Sequence, residues 1–165
     1  SQKSTLLILT VFLLLCSVSV ARELSRDRTQ LGEIADVVNS EGKEGDAVVF
    51  CPDQLAPAGN RILGEKYEFF AYPSLERGER IDWYDYRERN LNSSPLLLAK
   101  ELLARQTSEE NIWLVWIDGF ESFENQCSSF RSELNKRLGG GQTLVNADGD
   151  EYYNPANLVR YDSNK

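Results

Sequence analysis

Short apolar runs alternate along this chain with stretches whose apolar side chains recur every three to four residues. Ala47–Cys51 and Ile112–Ile117 are continuous apolar runs bounded by turn or polar residues, which is typical of strands buried on both faces. Amphipathic segments follow both runs, as expected when parallel strands are joined by helices. The pattern predicts an α/β fold: a small three-layer sandwich with a mainly parallel sheet of four to five strands.

Turn residues and amphipathic spacing predict the remaining elements. Further strands are expected over Tyr67–Tyr72, Thr143–Asn146 and Asn157–Asp162, with the last at an edge of the sheet, and Ile81–Tyr86 is either a short strand or a packed loop. Helices are expected from Leu31 to about Asn39–Gly42, over Ala56–Leu63 with Ala58, Ile62 and Leu63 inward, after Ser94-Pro95, and through Phe120, Phe123, Cys127, Phe130, Leu134 and Leu138.

The N-terminal segment has the composition of a membrane-spanning helix. Ser4–Ala21 carries no charged side chain, and Lys3 and Arg22 flank it. Its length is at the lower limit for crossing a bilayer. The same pattern fits a signal peptide, with Ser19-Val20-Ala21 as a small-residue cleavage site.

Three parts are therefore expected. Residues 1–22 form a transmembrane helix, either the last span of a truncated membrane protein or a signal-anchor, 23–30 are a charged juxtamembrane connector, and 31–165 are a soluble α/β domain. Since the chain contains no methionine, we expect it to be a fragment of a longer protein.

Composition excludes several classes of function. The net charge of −8 argues against a nucleic-acid partner, which selects basic surfaces. Because there is no histidine, serine or cysteine nucleophiles lack their usual base, and the commonest metal ligand is missing. No C-x-x-C spacing indicates zinc. We expect no metal and no cofactor.

Two of the three cysteines are candidates for a disulfide. If the two most apolar strands lie side by side, Cys51 at the exit of the first lies close to the helix after the second. Cys127 is expected on the second turn of that helix. In an oxidising compartment this arrangement predicts a Cys51–Cys127 bridge. The alternative is two free, buried thiols.

Polar residues follow the predicted strands at the edge where α/β folds bind ligands. We expect a polar pocket made by the side chains Asp53, Gln54, Arg61 and Asp118. The competing interpretation is that Asp53 and Asp118 cap the helices that follow them, while Asp148 serves a turn.

An aromatic cluster offers a second candidate site. Trp83, Tyr84 and Tyr86, together with the neighbouring carboxylates Asp82 and Asp85, would suit a sugar, because aromatic faces and carboxylate acceptors match hydroxyl-rich ligands. The alternative is core packing with the polar tips at the surface.

Several motifs together resemble one family. They are Arg28-Thr-Gln30, Gly45-Asp-Ala-Val-Val-Phe-Cys-Pro-Asp-Gln-Leu55, Asp82-Trp83, Trp113-Leu-Val-Trp116 and Cys127. With them the chain resembles the C-terminal extracytoplasmic region of actinobacterial multi-spanning membrane glycosyltransferases, which are of the GT-C, mannosyltransferase-like type and use polyprenyl-phosphate sugars. Ala56 stands where the family pattern leads us to expect glycine.

The resemblance implies a cell-membrane protein whose soluble domain lies on the extracytoplasmic side. That domain is not itself catalytic, and it either packs on the membrane part or holds the acceptor. The catalytic acidic residue of such enzymes lies among membrane helices outside this chain, so no catalytic residue is assigned here. The resemblance implies a lipid-linked sugar donor and a glycan or protein acceptor as partners of the whole enzyme. A stand-alone membrane-anchored binding domain and a secreted small enzyme using Asp53 and Asp118 remain alternatives.

Overall fold

A computed structural model describes residues 2–24, 28–107, 109–119 and 124–163. Its helices are α1 (Gln2–Leu24), α2 (Leu31–Glu41), α3 (Ala56–Leu63), α4 (Tyr86–Asn92), α5 (Pro95–Arg105) and α6 (Gln126–Leu138). Its strands are β1 (Ala47–Cys51), β2 (Glu68–Ala71), β3 (Ile112–Trp116), β4 (Gln142–Val145) and β5 (Asn157–Tyr161). The chain therefore has the α/β class that the sequence predicts.

The five strands form one mixed sheet in the order β2-β1-β3-β5-β4. β1 pairs in parallel with β2 and β3, whereas β5 is antiparallel to both β3 and β4. The expected neighbours β1 and β3 are adjacent, but β5 lies inside the sheet and not at its edge. The reason is burial: Leu158, Val159 and Tyr161 are all buried, while Gln142 and Thr143 of β4 are exposed and suit an edge.

Helices cover both faces of the sheet. Val48 and Phe50 of β1 point into the core shared with α2 and α3. Val49 and Cys51 point into the opposite core, shared with α5 and α6. This alternation is why the whole of β1 is apolar.

Local differences from the sequence prediction occur where tertiary packing sets the geometry. The segment Ile81–Asp85 is a loop, and a helix that the sequence pattern does not predict begins at Tyr86. In α3 the buried residues are Ala56, Gly59 and Leu63, whereas Ile62 is 43% exposed. Cys127 lies on the first turn of α6 and not on its second. Phe120 and Phe123, which by their spacing are predicted to lie on that helix, are outside the described residues.

Helix α1 is apolar and exposed along its length. It is the one helix of the described ranges that is long and apolar enough to cross a membrane, and none of its residues is buried. It runs two residues beyond the predicted boundary at residue 22. A signal sequence would have the same length and composition.

Candidate functional site

The main candidate site is a cleft at the carboxyl ends of β1 and β2. Asp53 follows β1, and the loop Ser74–Arg80 follows β2. The cleft has a volume of about 690 Å³. Its charged lining residues are Asp53, Glu76, Arg77, Glu79, Arg80, Asp82 and Arg89.

Asp53 is the buried carboxylate of this cleft. Only 8% of the residue is exposed, and the hydroxyl of Tyr86 donates a hydrogen bond of 2.8 Å to its Oδ1. Burial raises the pKa of Asp53, and the Tyr86 hydrogen bond and the nearby Arg89 charge offset only part of that rise. The cleft thus contains a carboxyl group with a perturbed pKa, which is a feature of many functional sites.

Local sequence explains the position of this pair. Pro52 ends β1, and Asp53–Leu55 form a single 3₁₀ turn before α3. Asp85 adopts a left-handed conformation at φ 51°, which aspartate tolerates better than most residues. The chain then turns into α4, whose first residue is Tyr86.

The arginines of the cleft differ in how firmly they are held. Arg77 donates to Asn60 Oδ1 over 3.0 Å and pairs with Glu65 at 3.0 Å. Arg89 donates to the backbone oxygens of Tyr84 and Asp82. Arg80 is exposed and makes no hydrogen bond or ion pair with any other residue that the structure describes. Its guanidinium is therefore available to a ligand.

A second, more apolar groove adjoins the first site. Gln54 and Trp83 line it, and its volume is about 530 Å³. Trp83 is 62% exposed and lies 4.9 Å, between ring centroids, from Tyr86. Because Tyr86 also holds Asp53, the Trp83 segment forms the boundary between groove and cleft. The structure thus brings Asp53, Gln54 and Trp83 into one region.

The other two predicted binding residues are not part of that region. Asp118 Oδ1 accepts the backbone N–H of Ser128 over 3.0 Å, so Asp118 caps the first turn of α6, as the competing interpretation proposed. Arg61 is exposed on α3 and lines neither the cleft nor the groove within the described chain. Asp148 accepts backbone N–H groups of its own turn, from Asp150 and Glu151.

Sequence reasoning missed Tyr86 as a partner of Asp53 and the arginines of the cleft. The signal available was the dense alternation of charges from Glu76 to Arg89. This alternation of charges is typical of a solvated loop, and it does not indicate that the loop folds over the end of β1.

A disulfide lies beside the site. Cys51, two residues before Asp53, is joined to Cys127 at the start of α6, and both residues are buried. The bridge fixes α6 to the carboxyl end of β1. Cys16 in α1 is free and exposed.

The segment that follows α1 enters the folded domain at the edge of the sheet that holds the cleft. Thr29 forms a β-bridge with Asn154, and the Gln30 side chain donates 2.8 Å to the backbone oxygen of Asn146, just after β4. Since β4 points in the same direction as β1, its carboxyl end lies at the edge that holds the cleft. Gln30 is buried, and its Oε1 accepts the Asp148 and Ala156 N–H groups.

The described ranges contain no group of three or more cysteine, aspartate or glutamate side chains placed to hold a metal ion. No family model, no curated protein and no solved structure matches this chain.

Proposed function

We propose that this chain is the extracytoplasmic C-terminal part of a membrane glycosyltransferase that uses a polyprenyl-phosphate sugar donor. In this proposal α1 is a transmembrane helix and the domain is not catalytic. Its cleft binds the hydroxyl-rich acceptor near the membrane-embedded active site. The observation that carries the proposal is that the cleft and the point where α1 leads into the domain lie at the same edge of the sheet.

The sequence resemblance supports the same region. The most distinctive motif, Cys51-Pro-Asp-Gln-Leu55, forms the end of β1 and the 3₁₀ turn at the base of the cleft. Asp82-Trp83 forms the wall between cleft and groove. Motif residues that converge on one cavity favour a binding role over a purely structural one.

The chemistry of the cleft suits a glycan. Sugar hydroxyl groups both donate and accept hydrogen bonds, and carboxylates beside guanidinium groups supply both partners. Asp53, Asp82 and Arg80 offer such groups on neighbouring walls. Carboxylates and guanidinium groups are mixed along the lining, so a neutral ligand fits better than a strongly charged one.

Two further features support an anchored domain on the extracytoplasmic side, the first bearing on the compartment and the second on the anchor. The buried Cys51–Cys127 disulfide is typical of oxidising compartments. Helix α1 has the length and composition to anchor the domain at a membrane. In this proposal the domain is a three-layer sandwich whose helices cover both faces of the sheet and leave its carboxyl edge for binding.

The test is glycan binding by the full chain in lipid nanodiscs. We expect a panel of cell-envelope oligosaccharides, including α-mannosides, to contain a ligand detectable by saturation-transfer NMR. Arg80→Ala and Asp53→Asn should weaken its binding at least tenfold. Arg61→Ala is the matched control, because it removes an exposed arginine outside the cleft, and it should bind normally. Absence of any bound glycan, or equal binding by all variants, would contradict the proposal.

A different observation distinguishes this proposal from the alternative of a stand-alone membrane-anchored binding domain. The coding sequence upstream of Ser1 should encode several further apolar spans if the domain belongs to a glycosyltransferase. A start codon immediately before Ser1 would favour the stand-alone domain.

A further inference from the structure

We propose that the carboxyl edge of the sheet rests on the lipid bilayer through Trp83, Tyr84 and Tyr153, here called the aromatic rim. This inference rests on the proposed role of α1 as a membrane span, and it adds an orientation of the domain. The occupant of this surface is the phospholipid headgroup region of the membrane that α1 crosses.

The aromatic rim is exposed and local. Trp83 is 62% exposed, Tyr84 79% and Tyr153 87%. Trp83 lines the groove together with Thr29 and Asn154, and Tyr84 and Tyr153 are chain neighbours of Trp83 and Asn154. The rim therefore lies beside the point where the segment after α1 enters the domain.

The connection to α1 is short. Leu24 and Arg28 are separated by four peptide units, so their Cα atoms lie at most about 15 Å apart. Arg28 also donates a 2.9 Å hydrogen bond to Glu23 in the last turns of α1. A compact domain of this size has a diameter of roughly 35–40 Å. If α1 spans the membrane, the surface beside Thr29 is the one that can reach the bilayer, and the opposite edge of the sheet cannot.

The chemistry of the rim matches the bilayer interface. Tryptophan and tyrosine combine an apolar ring with a polar atom, and they concentrate at the headgroup level of membrane proteins. Acidic residues lie close to the rim in sequence, namely Asp82, Asp85, Asp148, Asp150 and Glu151. Attraction to anionic lipid is therefore not the driving force. We expect the rim to contact vesicles of zwitterionic phosphatidylcholine without any anionic lipid.

This orientation has a consequence for the cleft. Asp82 lines the cleft next to Trp83, so a rim seated at the headgroups places the opening of the cleft beside the membrane surface. A ligand delivered from the membrane would then reach the cleft without crossing bulk water.

The test places the full chain in phosphatidylcholine vesicles containing a lipid with a nitroxide on its headgroup. Flotation of the chain with the vesicles, resistant to alkaline carbonate, reports the α1 span. Quenching of the Trp83 fluorescence, obtained by subtracting the Trp83→Phe variant, reports the rim. The control is Thr107→Trp in the Trp83→Phe background, because Thr107 is exposed at the opposite edge, near Ile112.

We expect the lipid nitroxide to quench Trp83 at least twofold more than the control indole, and aqueous iodide to quench Trp83 less in vesicles than in detergent. If the chain floats but both indoles respond equally, the rim does not contact lipid and this inference fails, while the proposed span stands. If Trp83 is shielded only after glycan is added, the residue is a sugar platform, and the inference again fails. If the chain does not float, both proposals fail.

Discussion

The hydroxyl of Tyr86 and the carboxylate of Asp53 are joined by a hydrogen bond of 2.8 Å that connects the start of α4 to the carboxyl end of β1. The bond places a buried acidic group at the base of the cleft. It also orders the loop carrying Asp82 and Trp83, because Tyr86 packs 4.9 Å from the Trp83 ring. One pair of side chains thus couples the cleft to the aromatic rim.

Removing the Tyr86 hydroxyl should perturb this coupling directly. Tyr86→Phe leaves a buried carboxylate oxygen without its donor, which typically costs about 1–3 kcal/mol of stability. Since the Tyr86 hydrogen bond lowers the pKa of Asp53, its loss should raise that pKa further. Carbon-detected NMR titration of the Asp53 carboxyl measures the shift, and an unchanged pKa would show that the bond does not persist in solution.

The raised pKa of Asp53 also sets a pH dependence of stability. The native state binds this proton more tightly than the unfolded chain, whose aspartate pKa is 3.8. The contribution of Asp53 to stability is therefore most favourable below pH 3.8, and it is lost as the pH rises through the folded pKa. Urea denaturation should show Asp53→Asn gaining stability relative to the native sequence as the pH increases over that range. Asp36→Asn, at an exposed position of α2, is the control for loss of one charge.

Asp46 should behave in the opposite way. It is 1% exposed, and it accepts hydrogen bonds from the Trp113 indole at 2.9 Å and from the backbone of Asn111 and of Lys43 at 3.0 Å each. Burial alone would raise its pKa, but these hydrogen bonds together lower it. Its stabilisation is therefore present above pH 3.8 and is lost as the pH falls through the lower, folded pKa.

We expect Asp46→Ala to destabilise the domain by about 3 kcal/mol at pH 7, because several buried donors lose their acceptor together. Chemical denaturation measures this, with Asp36→Ala as the matched exposed control. A loss below about 1 kcal/mol would mean that these donors find other acceptors.

Two glycines give a paired test of the packing. A Cβ at Gly59 would lie 2.2 Å from the Phe50 ring, so Gly59→Ala must displace the core between α3 and β1. We expect a loss of about 2 kcal/mol or more. Apart from the adjacent residues and the backbone of α2 itself, no described atom lies within 4 Å of a Cβ placed on Gly32, and Gly32→Ala should stabilise the domain by up to about 1 kcal/mol. Thermal unfolding of both variants measures the difference, and equal midpoints would contradict the packing of α3.

The disulfide closes a loop across a sequence separation of 76 residues. A loop of that length stabilises a fold by roughly 4 kcal/mol on the chain-entropy model, and the Cys51→Ala/Cys127→Ala variant should lose about that amount. Thiol titration of the unreduced, denatured chain is the independent check. One reactive thiol, from Cys16, is expected, and three would exclude the bridge.

Local patterns account for the parts of the fold that the sequence predicts well. The bounds of β1 and α3 match the structure because a turn glycine, Gly45, and Pro52 delimit the strand, and Gly64 ends the helix. The place of β5 beside β3 could not be predicted, because strand order depends on which apolar edge is left uncovered after the other strands have paired. The loop before α4 depends on the left-handed Asp85, for which the sequence carries only a weak signal.

The candidate site was also predictable only in part, because the packing of segments distant in sequence decides which side chains meet. Asp53 follows a strong strand signal, so its place at the carboxyl edge was foreseeable. The position of Arg61 outside the cleft could not be foreseen, because the buried face of α3 is formed by Gly59 and Leu63, which leaves Arg61 in solvent. The sequence allowed Asp118 to line a pocket or to cap the helix after β3, and the hydrogen bond from the Ser128 N–H shows that it is a cap.

In the function proposed above, α1 anchors the domain on the extracytoplasmic side of a membrane. To test this, the full chain is expressed in a bacterial expression strain, and the domain is followed after protease is added to intact spheroplasts and, separately, after alkaline carbonate extraction. We predict that the domain remains with the carbonate-washed membranes and is digested from outside while a cytoplasmic marker survives. A domain that is released by carbonate, or that is digested only after the cells are lysed, would contradict this account.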